Sequence, residues 1–406
     1  MKIYKCRNCK SRKLKRIFSL GNIFYTGKFT KKNTSPRKGP INVVMCENCT
    51  LVQLENNFDL NYMYGPDYGY RTGINKTMTN HVKNIVKTLS VKSKLKKNDM
   101  VIDIASNDGT LLNFYKKEIV TFGVDPVIKK YLQNYSKINF KISDFFSSKK
   151  VKKITNRKFK IITALSVFYD LRDPNKFLSD TESILDDDGI FVIELADLAS
   201  IIKFNVFDTF CHEHSEYYSA KVIAQMCVNN SLRLFDVKIN NINGGSLQFY
   251  ICKDKSKYKN NITILKKIFL REKKLKLNKK QTFLNFIRRV NKIKFQLMSF
   301  VKQAIKDKKT IHGYGASTKG NVLLQYFGLS YKEINYVADK NPKKYNLYTP
   351  GSKIKIISES LSRKIKPDYY LVLPWHFKKE ILLREKKTIE RNSKFIFPLP
   401  NLKIIS

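Results

Sequence analysis

Apolar residues recur at two periods along this chain. From residue 99 onward, short apolar runs at 100–104, 120–124, 159–165, 189–194 and 232–239 read as strands, with helical spacing between them. That alternation predicts a doubly wound α/β sheet. Ahead of it, apolar spacing predicts a helix from about Thr72 to Leu89, with His81 a partly exposed helix residue. Ile262, Ile264, Leu265, Ile268, Phe269, Phe283, Phe286, Ile287 and Val290 stand at helical spacing in a lysine-rich stretch. They predict one or two long amphipathic helices joining domains. A second α/β unit opens at 310–312. Gly313-Tyr314-Gly315-Ala316-Ser317-Thr318-Lys319-Gly320 reads as its turn, a helix runs to about Phe327, and strands follow at 334–338, 369–373 and 395–397. The expected division is 1–60, 61–255, 256–308 and 309–406.

Composition refines this picture in three ways. No apolar stretch reaches 18 residues, so no membrane insertion is expected. The start Met1-Lys2-Ile3-Tyr4-Lys5-Cys6 lacks the apolar core of a secretory signal, which points to a cytoplasmic protein. The net charge of +45 comes mainly from lysines scattered through every segment. That scatter describes solvated faces and not a nucleic-acid surface, so no specific nucleic acid is expected as a partner. A generally positive surface still attracts an anionic substrate such as a diphosphate.

The seven cysteines are not a disulfide set. Cys6-x-x-Cys9 and Cys46-x-x-Cys49 each place two thiolates on a tight turn, and together they make a four-cysteine zinc site. Four protein ligands leave no open position, so the metal is read as a structural staple for a module too small to stand alone. Cys211, Cys227 and Cys252 are isolated.

The first α/β unit carries the pattern of an S-adenosylmethionine site. Such a site needs a tight turn after the first strand and an acidic side chain after the second, to accept from ribose hydroxyls. Asp103 and Ala105 with Asn107-Asp108-Gly109 supply the turn, and Asp125 the acid. Asp144-Phe145 follows the third strand, where an acidic group and an aromatic can hold adenine. Downstream, Asp208-Thr209-Phe210-Cys211-His212-Glu213-His214-Ser215-Glu216-Tyr217-Tyr218 gathers two of the five histidines around a glutamate. Methyl transfer to carbon needs a base near an acidified C–H, which His214 and Glu213 can provide. Tyrosine hydroxyls can hold a developing enolate oxygen. Tyr217 and Tyr218 fit ordinary core packing equally well, and His212 fits a loop role. In the C-terminal unit, Gly313, Gly315 and the helix start can present backbone N–H groups to a diphosphate, with Lys319 adding charge. A dinucleotide held by Asp339 competes with that reading. His312 and His376 read as structural or rim residues. The rival functions are an O- or N-methyltransferase on a sugar or small metabolite, a non-catalytic nucleotide binder, and a nucleic-acid methyltransferase. The last lacks its expected tetrapeptide, since 164–170 reads Ala-Leu-Ser-Val-Phe-Tyr-Asp.

Taken together these residues resemble the nucleotide-sugar C-methyltransferases that act on dTDP-linked 4-keto-6-deoxy sugars. The likeness runs through the cysteine pairs, Ile102-Asp103-Ile104-Ala105-Ser106-Asn107-Asp108-Gly109-Thr110, the His-Glu-His run, Asn243-Gly244-Gly245-Ser246, the turn from Gly313 to Gly320 and Leu373-Pro374-Trp375-His376-Phe377. It implies a zinc module, a class I methyltransferase Rossmann-like domain and a second, C-terminal Rossmann-like α/β domain. It also implies removal of the C3 proton by Glu213 and His214, and help from a loop tyrosine, Tyr68 or Tyr70. His212, Tyr217, Asn243, Gly245, Ser246, Gly313, Gly315, Ser317 and Lys319 are placed with the substrate, and the protein as a monomer or homodimer. The chain departs from the family at Cys211, where some members have tyrosine, and at Gln248, where members often carry arginine.

Overall fold

A computed structural model describes residues 1–64 and 69–406. The N-terminal segment forms an antiparallel meander of β1 (Leu14–Phe24), β2 (Lys38–Cys46) and β3 (Val52–Leu54). Its fourth strand comes from elsewhere: β9 (Glu216–Tyr217), directly after the His-Glu-His run, pairs with β3 through Val52↔Tyr217 and Gln53↔Glu216. The small module and the candidate catalytic loop are therefore one sheet.

The central sheet contains β4 (Met100–Ile104), β5 (Val120–Val124), β6 (Phe140–Ile142), β7 (Phe159–Leu165), β8 (Leu185–Ala196), β10 (Leu232–Asn240) and β11 (Ser246–Lys253). Their order is β10-β11-β8-β7-β4-β5-β6, with β11 antiparallel to both neighbours. β4 is buried along its whole length, as a parallel strand covered on both faces must be. Residues 72–92 divide into a single 3-10 turn, Thr72–Ile74, and a helix, Lys76–Lys92, capped by Asn75, whose side chain accepts from Met78 N. Met78, Val82, Ile85, Val86 and Leu89 form the buried stripe of that helix. The helical pattern after Leu111 yields only the turn Leu112–Phe114, because Tyr115 goes extended (φ −74°, ψ 151°) to lead into β5.

The C-terminal sheet contains β12 (Ile311–Tyr314), β13 (Tyr336–Asp339), β14 (Ile356–Ser358), β15 (Tyr369–Val372), β16 (Lys394–Phe397) and β17 (Lys403–Ile405). The order is β14-β13-β12-β15-β16-β17, parallel except for the last strand. Gly313 and Tyr314 belong to β12 and not to the turn. The stretch expected to join domains forms helices Ile262–Lys274 and Lys280–Lys306. The second is more than a connector. Phe283, Phe286, Val290 and Leu297 share one core with Ile17 and Phe18 of the module, Phe210 of the loop that carries the His-Glu-His run and Ile311 and Val322 of the last domain. No helix among the described residues is long and apolar enough to cross a membrane.

Both α/β sheets change direction beside their first strand, β4 in one and β12 in the other. In such sheets ligands gather outside the carboxyl ends at that point. The two switch points face each other across one cavity, since Ala105 and Ala316 both line it.

Candidate active site

The cavity has a volume of about 610 Å³. One half is built at the end of β4. Ala105 (φ +61°) and Asn107 (φ +51°) both take left-handed backbone, so the turn forms although alanine stands where glycine is usual. Asp125 ends β5; its Oδ2 accepts from Asn107 N at 2.9 Å and its Oδ1 from Val127 N at 2.8 Å. Asp103, Ala105, Asn107, Asp125 and Phe145 all line this half. An acidic acceptor after the second strand, a close backbone turn and an aromatic wall suit the ribose, amino-acid end and adenine of S-adenosylmethionine.

Other residues named from the sequence stand elsewhere. Asp108 is a clamp outside the cavity wall: its Oδ2 accepts from Arg71 Nε at 3.0 Å and Gly73 N at 3.1 Å. Asn107 reinforces it, accepting from Thr72 N and donating to Tyr70 O. Together they fold the 69–75 loop over the cofactor turn, which puts Tyr70 on the wall. Tyr68 lies outside the described residues. Gly109 packs on Tyr135. Asp144 points outward and pairs with Lys150 at 2.6 Å, so Phe145 alone of that pair reaches the cavity.

Burial pushes the Asp103 carboxyl up to about 7, opposed by the Thr163 hydroxyl that donates to Oδ1 at 2.6 Å and helped by the Asp125 charge. Between about pH 4 and 7 the folded, cofactor-free chain then binds this proton more tightly than the unfolded chain, and stability falls as pH rises through that window. Asp103→Asn keeps the acceptor and removes the charge. Its melting temperature is expected to gain on the parent from pH 4 to pH 7, by an amount corresponding to up to about 4 kcal/mol. Parallel melting curves at several pH values check this.

The other half of the cavity comes from the His-Glu-His run and the C-terminal turn. His214 Nδ1 donates to Thr209 O at 2.8 Å, which leaves Nε2 as the acceptor nitrogen. Burial, with Lys319 adding to it, lowers its pKa to about 3, so the imidazole is neutral. Glu213 is buried, and its carboxyl is raised by that burial; Thr26 Oγ1 donates to it at 3.3 Å. Gly27 permits the close approach of the module, for a Cβ there would lie 2.6 Å from Glu213 Oε1. Lys319 enters from the C-terminal domain, donating to Asn243 O at 3.0 Å, and burial lowers its pKa. Glu213, His214, Asn243, Ser317 and Lys319 share this wall.

His212 stands behind the wall. Its ring stacks on Tyr25 at 4.3 Å and its Nε2 donates to Gly39 O. Tyr217 is in the core, its hydroxyl donating to His214 O at 3.0 Å. Ser246 donates to Ile242 O, Gly245 packs on Ser200, Gly313 on Val337 and Gly315 (φ +84°) on Pro374. These residues shape the loops without lining the cavity. Conversely, the cavity takes in Asp170, Tyr169 and Glu194, which the sequence did not mark as site residues, and His81, read from the sequence as a partly exposed helix residue. His81 Nε2 lies 2.7 Å from Glu194 Oε1. An acid at a strand end was the available signal for Glu194, and none marked Asp170. His376, read as rim or structural, faces the cavity too, while His312 is buried against Ser362.

The four module thiols converge. Cys6 Sγ and Cys49 Sγ are 3.6 Å apart, Cys9 Sγ and Cys46 Sγ 3.5 Å, and all four lie within 4.8 Å of one another. Sulfurs on a tetrahedral zinc sit about 3.8 Å apart, so these residues fit a structural Zn²⁺. Gln53 Nε2 donates to Cys6 Sγ at 3.2 Å.

Comparison with known proteins gives three family matches in chain order. Residues 6–64 match the family of zinc binding domains, 74–235 the methyltransferase domain family and 241–400 the C-methyltransferase C-terminal domain family. The chain is 27% identical over 372 residues to the C-methyltransferase NovU of Streptomyces niveus, covering 90% of this chain and 88% of that one. Among solved structures, an S-adenosylmethionine-dependent methyltransferase from Clostridium acetobutylicum is 13% identical, with 43% of this chain and 92% of that chain covered and a TM-score of 0.35. Magnesium protoporphyrin IX methyltransferase from Synechocystis, with bound S-adenosylhomocysteine, is also 13% identical, covering 46% and 90%, with a TM-score of 0.35. With its three family matches in chain order and a cofactor turn and a four-cysteine cluster in their places, the chain is an S-adenosylmethionine-dependent methyltransferase whose C-terminal part is similar to the C-methyltransferase C-terminal domain.

Proposed function

We propose that the acceptor is a carbon next to the ketone of a nucleotide-linked 4-keto-deoxysugar, a dTDP sugar being the favoured form. The observation that carries this reading is a basic groove that continues the cavity. A second space of about 760 Å³ shares Phe29, Gly69, Arg71, Ile74, Asn341 and Lys344 with the first. Of its 16 lining residues six are basic (Lys28, Lys31, Arg71, Lys130, Lys343 and Lys344) and none is acidic. The chain as a whole has 78 basic and 33 acidic residues in 406, so the groove exceeds the general bias. Phe29, Tyr62 and Tyr131 add flat faces. S-adenosylmethionine carries no phosphate. An anionic diphosphate with a base to stack therefore belongs to the acceptor, whose sugar would reach the cavity beyond.

Bound S-adenosylmethionine supplies an electrophilic methyl group. The chain's own residues must make the acceptor carbon nucleophilic. Glu213 is the stronger base of the pair, because burial raises its carboxyl, and His214 is fixed with its Nε2 lone pair available. The C3 proton passes to this pair and the electron pair spreads onto the ketone oxygen as an enolate. Lys319 and the clamped Tyr70 loop supply charge and cover. The description of the Streptomyces relative as a C-methyltransferase supports carbon as the methyl acceptor.

The test is incubation in D2O with a dTDP-4-keto-6-deoxyhexose, with and without S-adenosylmethionine, followed by NMR and mass spectrometry. Deuterium at C3, then a cofactor-dependent methyl on that carbon, is the expected result. A methyl found on oxygen overturns the enolate reading.

A further inference from the structure

We infer that Asp170 is a second carboxyl of the reaction: it meets the carbonyl oxygen of the acceptor and holds the proton that stabilises the enolate. The inference rests on the carbon-acid reading above.

Asp170 ends the 3-10 turn Phe168–Asp170 that follows β7. It is buried, and it lines the same cavity as Glu213 and His214. The preceding residue, Tyr169, lays its ring 4.3 Å from that of His214. Its carboxyl has an unmet need. Oδ1 has no hydrogen-bond partner among the described residues. The Tyr64 hydroxyl is the side-chain hydrogen bond the group has, and no Lys or Arg pairs with it among the described residues. A carboxylate left so would cost several kcal/mol, and a buried carboxyl in this position keeps its proton instead. Burial is the main cause of its raised pKa, with the Glu216 and Glu213 charges adding to it and Tyr64 opposing. A neutral carboxylic acid donates, and the donor needs an acceptor. Apart from the Tyr64 hydroxyl, no hydrogen-bonding partner for it is present among the described residues. A ketone oxygen in the cavity is the acceptor that would complete it.

Two carboxyls on one cavity wall then divide the work. Environments that push their pKa values apart assign acid and base. Asp170 is the more strongly raised and holds a proton; Glu213, raised less, can ionise and take one. In the enolisation step the C–H bond breaks, its proton goes to Glu213, and the electron pair moves onto the ketone oxygen. That oxygen accepts the Asp170 O–H. Reversal returns a solvent-derived proton to carbon, so the step balances with no other reactant. It also requires no cofactor, and exchange alone reports it.

The experiment compares parent, Asp170→Asn and Asp170→Leu in D2O with dTDP-4-keto-6-deoxyhexose and no S-adenosylmethionine. Asparagine keeps a donor of the same size and is expected to retain exchange within about tenfold of the parent, while leucine is expected to lose about 10²–10³-fold, the worth of one oxyanion donor. Thymidine diphosphate affinity, measured on all three, is expected to stay within about twofold, which separates the role from a collapsed site. Exchange by the folded leucine variant within twofold of the parent overturns the inference. If the parent itself exchanges nothing, the substrate reading fails separately. Asp170 is then judged by infrared spectroscopy at pH 7: the parent spectrum must contain a protonated carboxyl band that Asp170→Asn removes, and its absence overturns the inference as well.

Discussion

Glu213→Gln and His214→Asn are each expected to lower carbon methylation by about 10²–10⁴-fold, the usual worth of a positioned acid–base group. Cofactor affinity is expected to stay near the parent value, because Asp125, Ala105 and Asn107 sit on the opposite half of the cavity. The double variant is expected to lose little more than either single one, since groups acting on one proton are not additive. Glutamine retains the Thr26 contact and fits beside Gly27, so the loss cannot be charged to packing. The pH profile carries the sign of the argument. A raised Glu213 pKa means that the base is lost as pH falls through that value, so activity drops on the acid side. His214 is already neutral there and contributes no limb near neutrality. Steady-state rates from pH 5 to 9 on both single variants, with cofactor titrations alongside, decide it. A Glu213→Gln enzyme with an unchanged acid limb would remove the glutamate from the chemistry.

The sequence made much of this architecture legible because its strongest signals are local. The strand runs at 100–104, 120–124 and 159–165 are fully or almost fully buried parallel strands, and their apolar continuity states that directly. The cysteine pairs set their geometry by spacing alone. What stayed hidden depends on pairing across long separations. β9 is two residues long and has no period to read; it exists because β3 offers it an edge. β11 follows the Gly244-Gly245 turn and is buried almost throughout, so nothing in its pattern distinguishes it from other apolar segments. At the site, Glu213, His214 and Lys319 were legible as chemistry-bearing types in dense motifs. Asp170 was not, since an aspartate in a Tyr-Asp-Leu-Arg-Asp stretch reads as solvated loop until its burial is known. The Asp144-Phe145 pair shows the opposite error. Both types suited adenine, but a lysine six residues on draws the carboxylate to the surface.

Removing the zinc is expected to cost activity through a path that can be traced residue by residue. Arg7 sits inside the first Cys-x-x-Cys. Its backbone N–H donates to Gln53 Oε1 at 3.1 Å, and Gln53 Nε2 in turn donates to Cys6 Sγ. From this position the buried guanidinium donates to Leu54 O at 2.8 Å and reaches Ser215 O at 3.4 Å, with Nε 3.3 Å from Glu216 Oε1. Ser215 and Glu216 directly follow His214, and Glu216 is the β9 residue that pairs with Gln53. The cysteine knuckle, the arginine and the His-Glu-His loop thus form one continuous structure. Chelation is expected to unfold the knuckle, because binding free energy at such a site is folding free energy. The β3–β9 pairing would go with it, and with that the placement of His214. Arg7→Met separates the two halves of this claim. It leaves all four thiols in place, so zinc content by metal analysis is expected to remain near one per chain. It strands Glu216 in the interior without its cation, a loss of about 3–5 kcal/mol. Methylation is expected to fall far more than cofactor affinity, since the cofactor turn belongs to a different sheet. An Arg7→Met protein that keeps its zinc, melts like the parent and methylates at the parental rate would show that the module holds the loop by β-pairing alone.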